Sequence, residues 1–167
     1  MQKEIQENKE HIQKIYTEKA QKLLKFCIVI LIVNGITYLI GFFLYNSFDF
    51  GLVFEIITFI FILIANNRIE QKNMKLGKIN TIMAIIPISF LIIYDLIHLA
   101  INIEEVLEEV LIYYTSSDQF FYNIEPYLFD VTLIAIIKLL YKTYKALNKA
   151  DNTQQSENYL DTFYDNL

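Results

Sequence analysis

Apolar residues are concentrated in four runs that are separated by polar segments. The runs cover about residues 23–48, 48–65, 79–101 and 126–144. About 20 consecutive apolar residues are needed to cross the ~30 Å hydrocarbon core of a bilayer as an α-helix. The pattern therefore predicts an all-α integral membrane protein, a four-helix transmembrane bundle with up-down-up-down connections.

The polar segments predict three parts. Residues 1–22 have helix-forming residues and a thin apolar stripe at helical spacing, which predicts a cytoplasmic amphipathic helix that runs into the first span. Residues 23–145 form the four-span domain, in which residues 102–125 are an amphipathic segment on the outer surface. Residues 146–167 form a polar, mobile cytoplasmic tail, of which the aromatic and leucine residues could dock as one face.

The basic residues fix the orientation of the predicted spans. All 14 lie before or at the start of the first run, between the second and third runs, or within and after the end of the fourth. The two opposite connections contain only acidic charges, among them four glutamates at positions 104–109. Because cytoplasmic flanks of spans carry an excess of Lys and Arg, both termini are expected on the cytoplasmic side of the cell membrane.

Two prolines and two charges modify the helices. Pro87 lies inside the third run and predicts a kink. Pro126 predicts the first turn of the fourth helix, after a turn at residues 115–118. The fourth span is the least regular of the four, since Asp130 and Lys138 interrupt it.

Composition excludes several classes of function. The net charge is −5 and no strongly basic face is present, which argues against binding to nucleic acid. Cys27 is the single cysteine and lies in an apolar run, where it is expected to act as a small buried hydrophobe. Neither a zinc-protease motif, a glycine-rich phosphate loop nor a CxxC pair occurs, so we expect no cofactor.

Ionisable residues inside the apolar runs are the candidate functional site. Charged groups within a membrane are costly and usually face the bundle or water. At 1.5 Å per residue they all fall in the outer third of the bilayer, and Asp95 and His98 share one helix face. The predicted polar layer consists of Glu55, Asp95, His98 and Asp130, with Tyr38 as a hydrogen-bond partner.

Three interpretations of this layer are open at this point. It could line a cation pathway, hold a metal ion or proton, or be a structural set of groups that are hydrated or bonded between helices. The identity of any metal is not specified by the spacing. We expect Asp95 and His98 to point into the protein and at least one of them to contact a polar group from another span.

Small and polar residues in the first run predict helix packing. Asn34, Gly35 and Gly41 interrupt that run, and such residues favour close contact between helices in lipid. Besides the bilayer, the expected partner is a second copy of the chain or a cytoplasmic protein, which would bind at this face or at the apolar stripe of residues 1–22.

The expected function is a non-enzymatic membrane subunit that acts as an oligomeric pore-like or sensor component. A role in defence or stress rests only on a composition typical of an AT-rich gene. The alternative is a small transporter, or a metal- or proton-dependent membrane enzyme, that uses the polar layer.

Overall fold

A computed structural model describes residues 2–45, 51–101 and 117–164, all but a few of which are helical. These residues form four helices: α1 Gln2–Tyr45, α2 Gly51–Glu70, α3 Met74–Ile101 and α4 Ser117–Tyr164. α1 confirms that the polar N-terminal segment and the first apolar run form one continuous helix. α3 continues through Pro87 without a break.

One expectation about the last helix was wrong. The helix that carries the fourth apolar run begins at Ser117, so Pro126 lies inside α4 and not in its first turn. The helix continues beyond Lys149 to Tyr164, and the mobility expected of this polar segment stays a prediction. Of the amphipathic segment predicted over residues 102–125, residues 102–116 lie outside the described residues, and the rest belongs to α4.

The four helices pack around a common core in chain order. α1 lies against α2 and α4, and α3 lies against the same two helices, so that neighbours in the chain are neighbours in space. Buried positions in every helix alternate between spacings of three and four residues, the pattern of knobs-into-holes packing. The positions with this spacing are 20, 24, 27, 31 and 34 in α1; 51, 55, 58, 62, 65 and 69 in α2; 74, 77, 81, 84, 88 and 91 in α3; and 133, 136, 140, 143, 147 and 150 in α4, where 146 and 151 are buried as well.

Small and polar side chains occupy much of this core, whereas large apolar side chains cover the outside. Alanine, glycine and threonine recur at the buried positions. Phe43 is 81% exposed, Phe90 63% and Val33 57%. Water-soluble bundles have the opposite distribution. Three helices, α1 to α3, are long and apolar enough to cross a membrane.

The connection between α2 and α3 is a tight turn. The amide of Asn73 donates to the carbonyl of Arg68, and that of Lys72 donates to Ile69. This pair of bonds ends α2 as a Schellman motif, in which Lys72 has a φ of 59° where glycine is usual. Asn73 then caps α3, since its side-chain oxygen accepts a hydrogen bond from the amide of Leu76.

Close approach of α2 and α3 beyond this turn depends on Gly77. A Cβ atom at that position would lie 3.0 Å from Cγ1 of the buried Ile69. The absence of a side chain therefore lets the two helix backbones meet near the turn.

Candidate functional site

Glu55 is the most deeply buried acidic side chain that the structure describes. It occupies a core position of α2, one turn from Gly51 and one from Thr58, and is 2% exposed. A carboxyl group at such a position needs hydrogen-bond partners, because burial without them is costly.

Asn34 supplies one of these partners and links three helices. Its Nδ2 atom donates to Oε1 of Glu55 on α2 at 3.0 Å and to Oγ1 of Thr132 on α4 at 2.9 Å. One amide nitrogen therefore uses both of its protons to connect α1 to both neighbouring helices. Asn34 was predicted as a helix-packing residue, and the structure places it inside the polar layer at 5% exposure.

The acidic groups of α3 and α4 also meet. The carboxyl group of Asp130 on α4 interacts with that of Asp95 on α3. The Oδ1 atom of Asp130 is buried and has no hydrogen-bond partner among the described residues. Two carboxyl groups can form a hydrogen bond only if one carries a proton, because two ionised groups at this distance repel each other.

The layer therefore draws on all four helices: Asn34 from α1, Glu55 from α2, Asp95 from α3, and Asp130 with Thr132 from α4. Tyr38, one turn from Asn34, is half-buried. The side chain of His98 lies outside the described residues, so its expected contact stays a prediction. Of the predicted ionisable groups, Asp95 therefore pairs with Asp130, whereas Glu55 bonds to Asn34.

Thr132 is the member of this layer that sequence reasoning missed. A threonine within an apolar run is common and carries no signal by itself. Thr132 is half-buried and lies next to Leu133, a buried position of α4, so only its contact with Asn34 identifies it.

Gly35 and Gly41, which were predicted as helix-packing residues together with Asn34, are not shown to make contacts between helices. A Cβ atom at Gly35 would meet no other atom within 4 Å, so this glycine is not required for a contact within one chain. The environment of Gly41 lies outside the described residues. A role of this face in contact between copies stays a prediction.

Apolar side chains close the core next to the layer, on the side of the α2–α3 turn. Leu31, Ile62, Ile88 and Ile136 are all at most 4% exposed. Thr58 donates to the carbonyl of Ala84 at 3.3 Å, in the turn that Pro87 weakens by lacking an amide proton. Water or ions could pass this level within one copy only if these side chains separated.

α1 and α4 continue from the layer to the far end of the molecule. At the layer, Asn34 of α1 contacts Thr132 of α4. About five helical turns further along both helices, the ammonium group of Lys149 lies 5.2 Å from the centre of the Tyr16 ring. We call the stretch beyond Ala20 and Thr143, residues 7–20 of α1 and 143–153 of α4, the terminal helix pair. It has a buried seam at Ala20, Ala146, Leu147 and Ala150.

An ion pair fixes the terminal helix pair to α3. Nζ of Lys78 lies against Oδ2 of Asp151 and donates to Oδ1 of Asn148 at 3.4 Å. The side chains of Lys78 and Asp151 are 18% and 12% exposed, so solvent screens their attraction only in part.

Metal chemistry receives no support from the described residues, among which no group of three or more His, Cys, Asp or Glu side chains could hold an ion. Comparison with models of known protein families, with curated proteins and with solved structures finds no match.

Proposed function

We propose that this chain is an integral membrane protein that crosses the cell membrane four times and has both termini in the cytoplasm. The distribution of side chains supports this proposal, since large apolar residues face outwards and small or polar residues form the seam. The grouping of all 14 basic residues at one end supports the proposed orientation.

Within the membrane, the proposed role is that of a non-enzymatic sensor subunit. The polar layer would respond to a proton or cation that reaches it from the outer surface. The response would move α1 and α4 relative to the other helices, and the terminal helix pair would present this change in the cytoplasm. A cytoplasmic protein or a second copy would receive it.

One observation carries this proposal. Asn34 bonds at the same time to a buried carboxyl group on α2 and to Thr132 on α4. Protonation of Glu55 changes the strength of the first bond, because a charge-assisted hydrogen bond is about twice as strong as a neutral one. Since α1 and α4 run without interruption into the terminal helix pair, a change at the layer can reach the cytoplasm through rigid elements.

A pore within a single copy is less well supported. The apolar residues beneath the layer fill the core between all four helices. An oligomeric pore would have to form between copies.

Spin-label distances in lipid nanodiscs test the sensor proposal. Labels at the exposed positions Lys75 and Asn152 report the distance between the α2–α3 turn and α4 of the terminal helix pair, in a background in which Cys27 is replaced by alanine. We expect Glu55→Gln, which removes the charge and keeps the shape, to shift the distance distribution relative to the parent protein.

Glu7→Gln is the matched control, because Glu7 is an exposed glutamate that lies outside the layer. It should leave the distances unchanged. Identical distances in the parent, in Glu55→Gln and in Asp130→Asn, at both acidic and neutral pH, would overturn the sensor proposal.

A further inference from the structure

A cleft separates the terminal part of α1 from the turn between α2 and α3. Its volume is about 650 Å³, within the range typical of sites for small molecules. The buried side chains of Ile69 and Met74 form its floor, and charged and amide side chains form its rim. None of the residues that line it belongs to the polar layer.

Both signs of charge occur along the rim. Lys14 and Lys72 are the two ammonium groups, and Glu10, Glu18 and Glu70 are the three carboxylates. The carboxylate of Glu70 is held in place, because its Oε1 atom accepts a hydrogen bond from Asn66 at 2.8 Å. Such a rim matches a ligand that carries one anionic and one cationic group.

We propose that this cleft binds the headgroup of phosphatidylethanolamine from the inner leaflet. The proposal rests on the membrane insertion and orientation given above, which place the α2–α3 turn at the cytoplasmic surface. The lysines would bind the phosphodiester, and the glutamates would accept hydrogen bonds from the primary ammonium group. The glycerol end of the headgroup would lie over Ile69 and Met74.

The chemistry of the rim favours this headgroup over the other common ones. A choline group cannot donate hydrogen bonds and is usually bound by aromatic side chains, none of which lines the cleft. A purely anionic headgroup would meet three carboxylates without offering a cation. A primary ammonium group satisfies the carboxylates.

Native mass spectrometry of the full chain in detergent tests the proposal. The probes are short-chain phosphatidylethanolamine, phosphatidylcholine and phosphatidylglycerol with identical acyl chains, and soluble phosphoethanolamine. We expect the ethanolamine lipid to bind at least about tenfold more tightly than the other three probes, equivalent to one charge-assisted hydrogen bond.

Two variants and a control locate the site. Lys72→Gly removes an ammonium group at a position where the backbone favours glycine, and Lys14→Gln removes the other ammonium group. Each should weaken binding of the ethanolamine lipid about tenfold. Lys75→Gln, a change in an exposed residue close to the turn that does not line the cleft, should leave binding unchanged.

Equal affinity for the three lipids, or unchanged binding in both lysine variants, would overturn the proposal. Soluble phosphoethanolamine that bound as tightly as the lipid would overturn the assignment to a membrane lipid. Extraction of the protein from membranes by alkaline carbonate would instead contradict membrane insertion, independently of the lipid preference measured in detergent.

Discussion

Asn34 and Glu55 form the residue-scale contact on which the bundle depends. Each is buried in the side-chain layer that joins α1, α2 and α4. In a membrane the hydrogen bonds between helices are worth about 1 kcal/mol on average, but a buried group that loses its partner costs more.

Replacement of Asn34 by leucine should therefore lower the free energy of unfolding in mixed detergent micelles by about 1–3 kcal/mol. The loss comes from the acceptors on Glu55 and Thr132, which lose their donor. The double variant Asn34→Leu, Glu55→Leu removes the buried carboxyl group as well, and should recover much of this loss. This explanation would be contradicted if the double variant lost more free energy of unfolding than the two single variants lose together.

Asn73 and Lys72 make a second prediction at the residue scale. Asn73→Ala removes the cap of α3 and should destabilise the protein by about 1 kcal/mol in the same unfolding assay. Lys72→Gly relieves the left-handed conformation of a residue with a Cβ atom, and should stabilise it by about 1 kcal/mol. If any change in the turn were harmful, both variants would be less stable. Changes of opposite sign in the free energy of unfolding would show that the cap itself stabilises the protein.

At the scale of elements, the two glycines whose surroundings are described have different roles. Gly77 lies where α2 and α3 approach each other, and its place cannot take a larger side chain without displacing Ile69. Gly35 faces open space on α1.

Gly77→Val should destabilise the bundle by about 1–3 kcal/mol because of this overpacking. Gly35→Ala should stabilise it by up to about 1 kcal/mol, because alanine favours the helix and meets no clash. Unfolding in detergent measures both. If Gly35→Ala instead weakened self-association measured by cross-linking, the predicted contact between copies at this face would gain support.

The positions of the helices could be predicted from the sequence more easily than their full lengths. The four apolar runs predicted all four helices, because composition alone determines which segments are apolar. The full extent of α4 could not be predicted from its polar end. Ala146, Leu147 and Ala150 pack within the structure, and their burial depends on the partner helix α1.

The candidate site was predicted only in part for a similar reason. Glu55, Asp95 and Asp130 were found because a charge in an apolar run is conspicuous. Thr132 completes the set only through its register on α4, and the contact between Asp95 and Asp130 depends on which helices are neighbours.

At the scale of the whole molecule, α1 and α4 connect the polar layer at one end of the bundle to the terminal helix pair at the other. The ion pair of Lys78 with Asp151 and the contact of Lys149 with Tyr16 hold that pair in place. The apolar surface between the two ends covers α1 to α3 and is suited to lipid. We therefore propose that the layer lies in the outer part of one membrane and that the terminal helix pair lies in the cytoplasm.

Accessibility of single cysteines in intact cells tests this claim most directly. In a Cys27→Ala background, Asp118→Cys and Lys75→Cys would be treated with a membrane-impermeant maleimide before and after the cells are permeabilised. The account predicts that the cysteine at position 118 is labelled in intact cells, whereas the one at position 75 is labelled only after permeabilisation. Labelling of position 75 in intact cells with protection of position 118, or equal labelling of both, would contradict it.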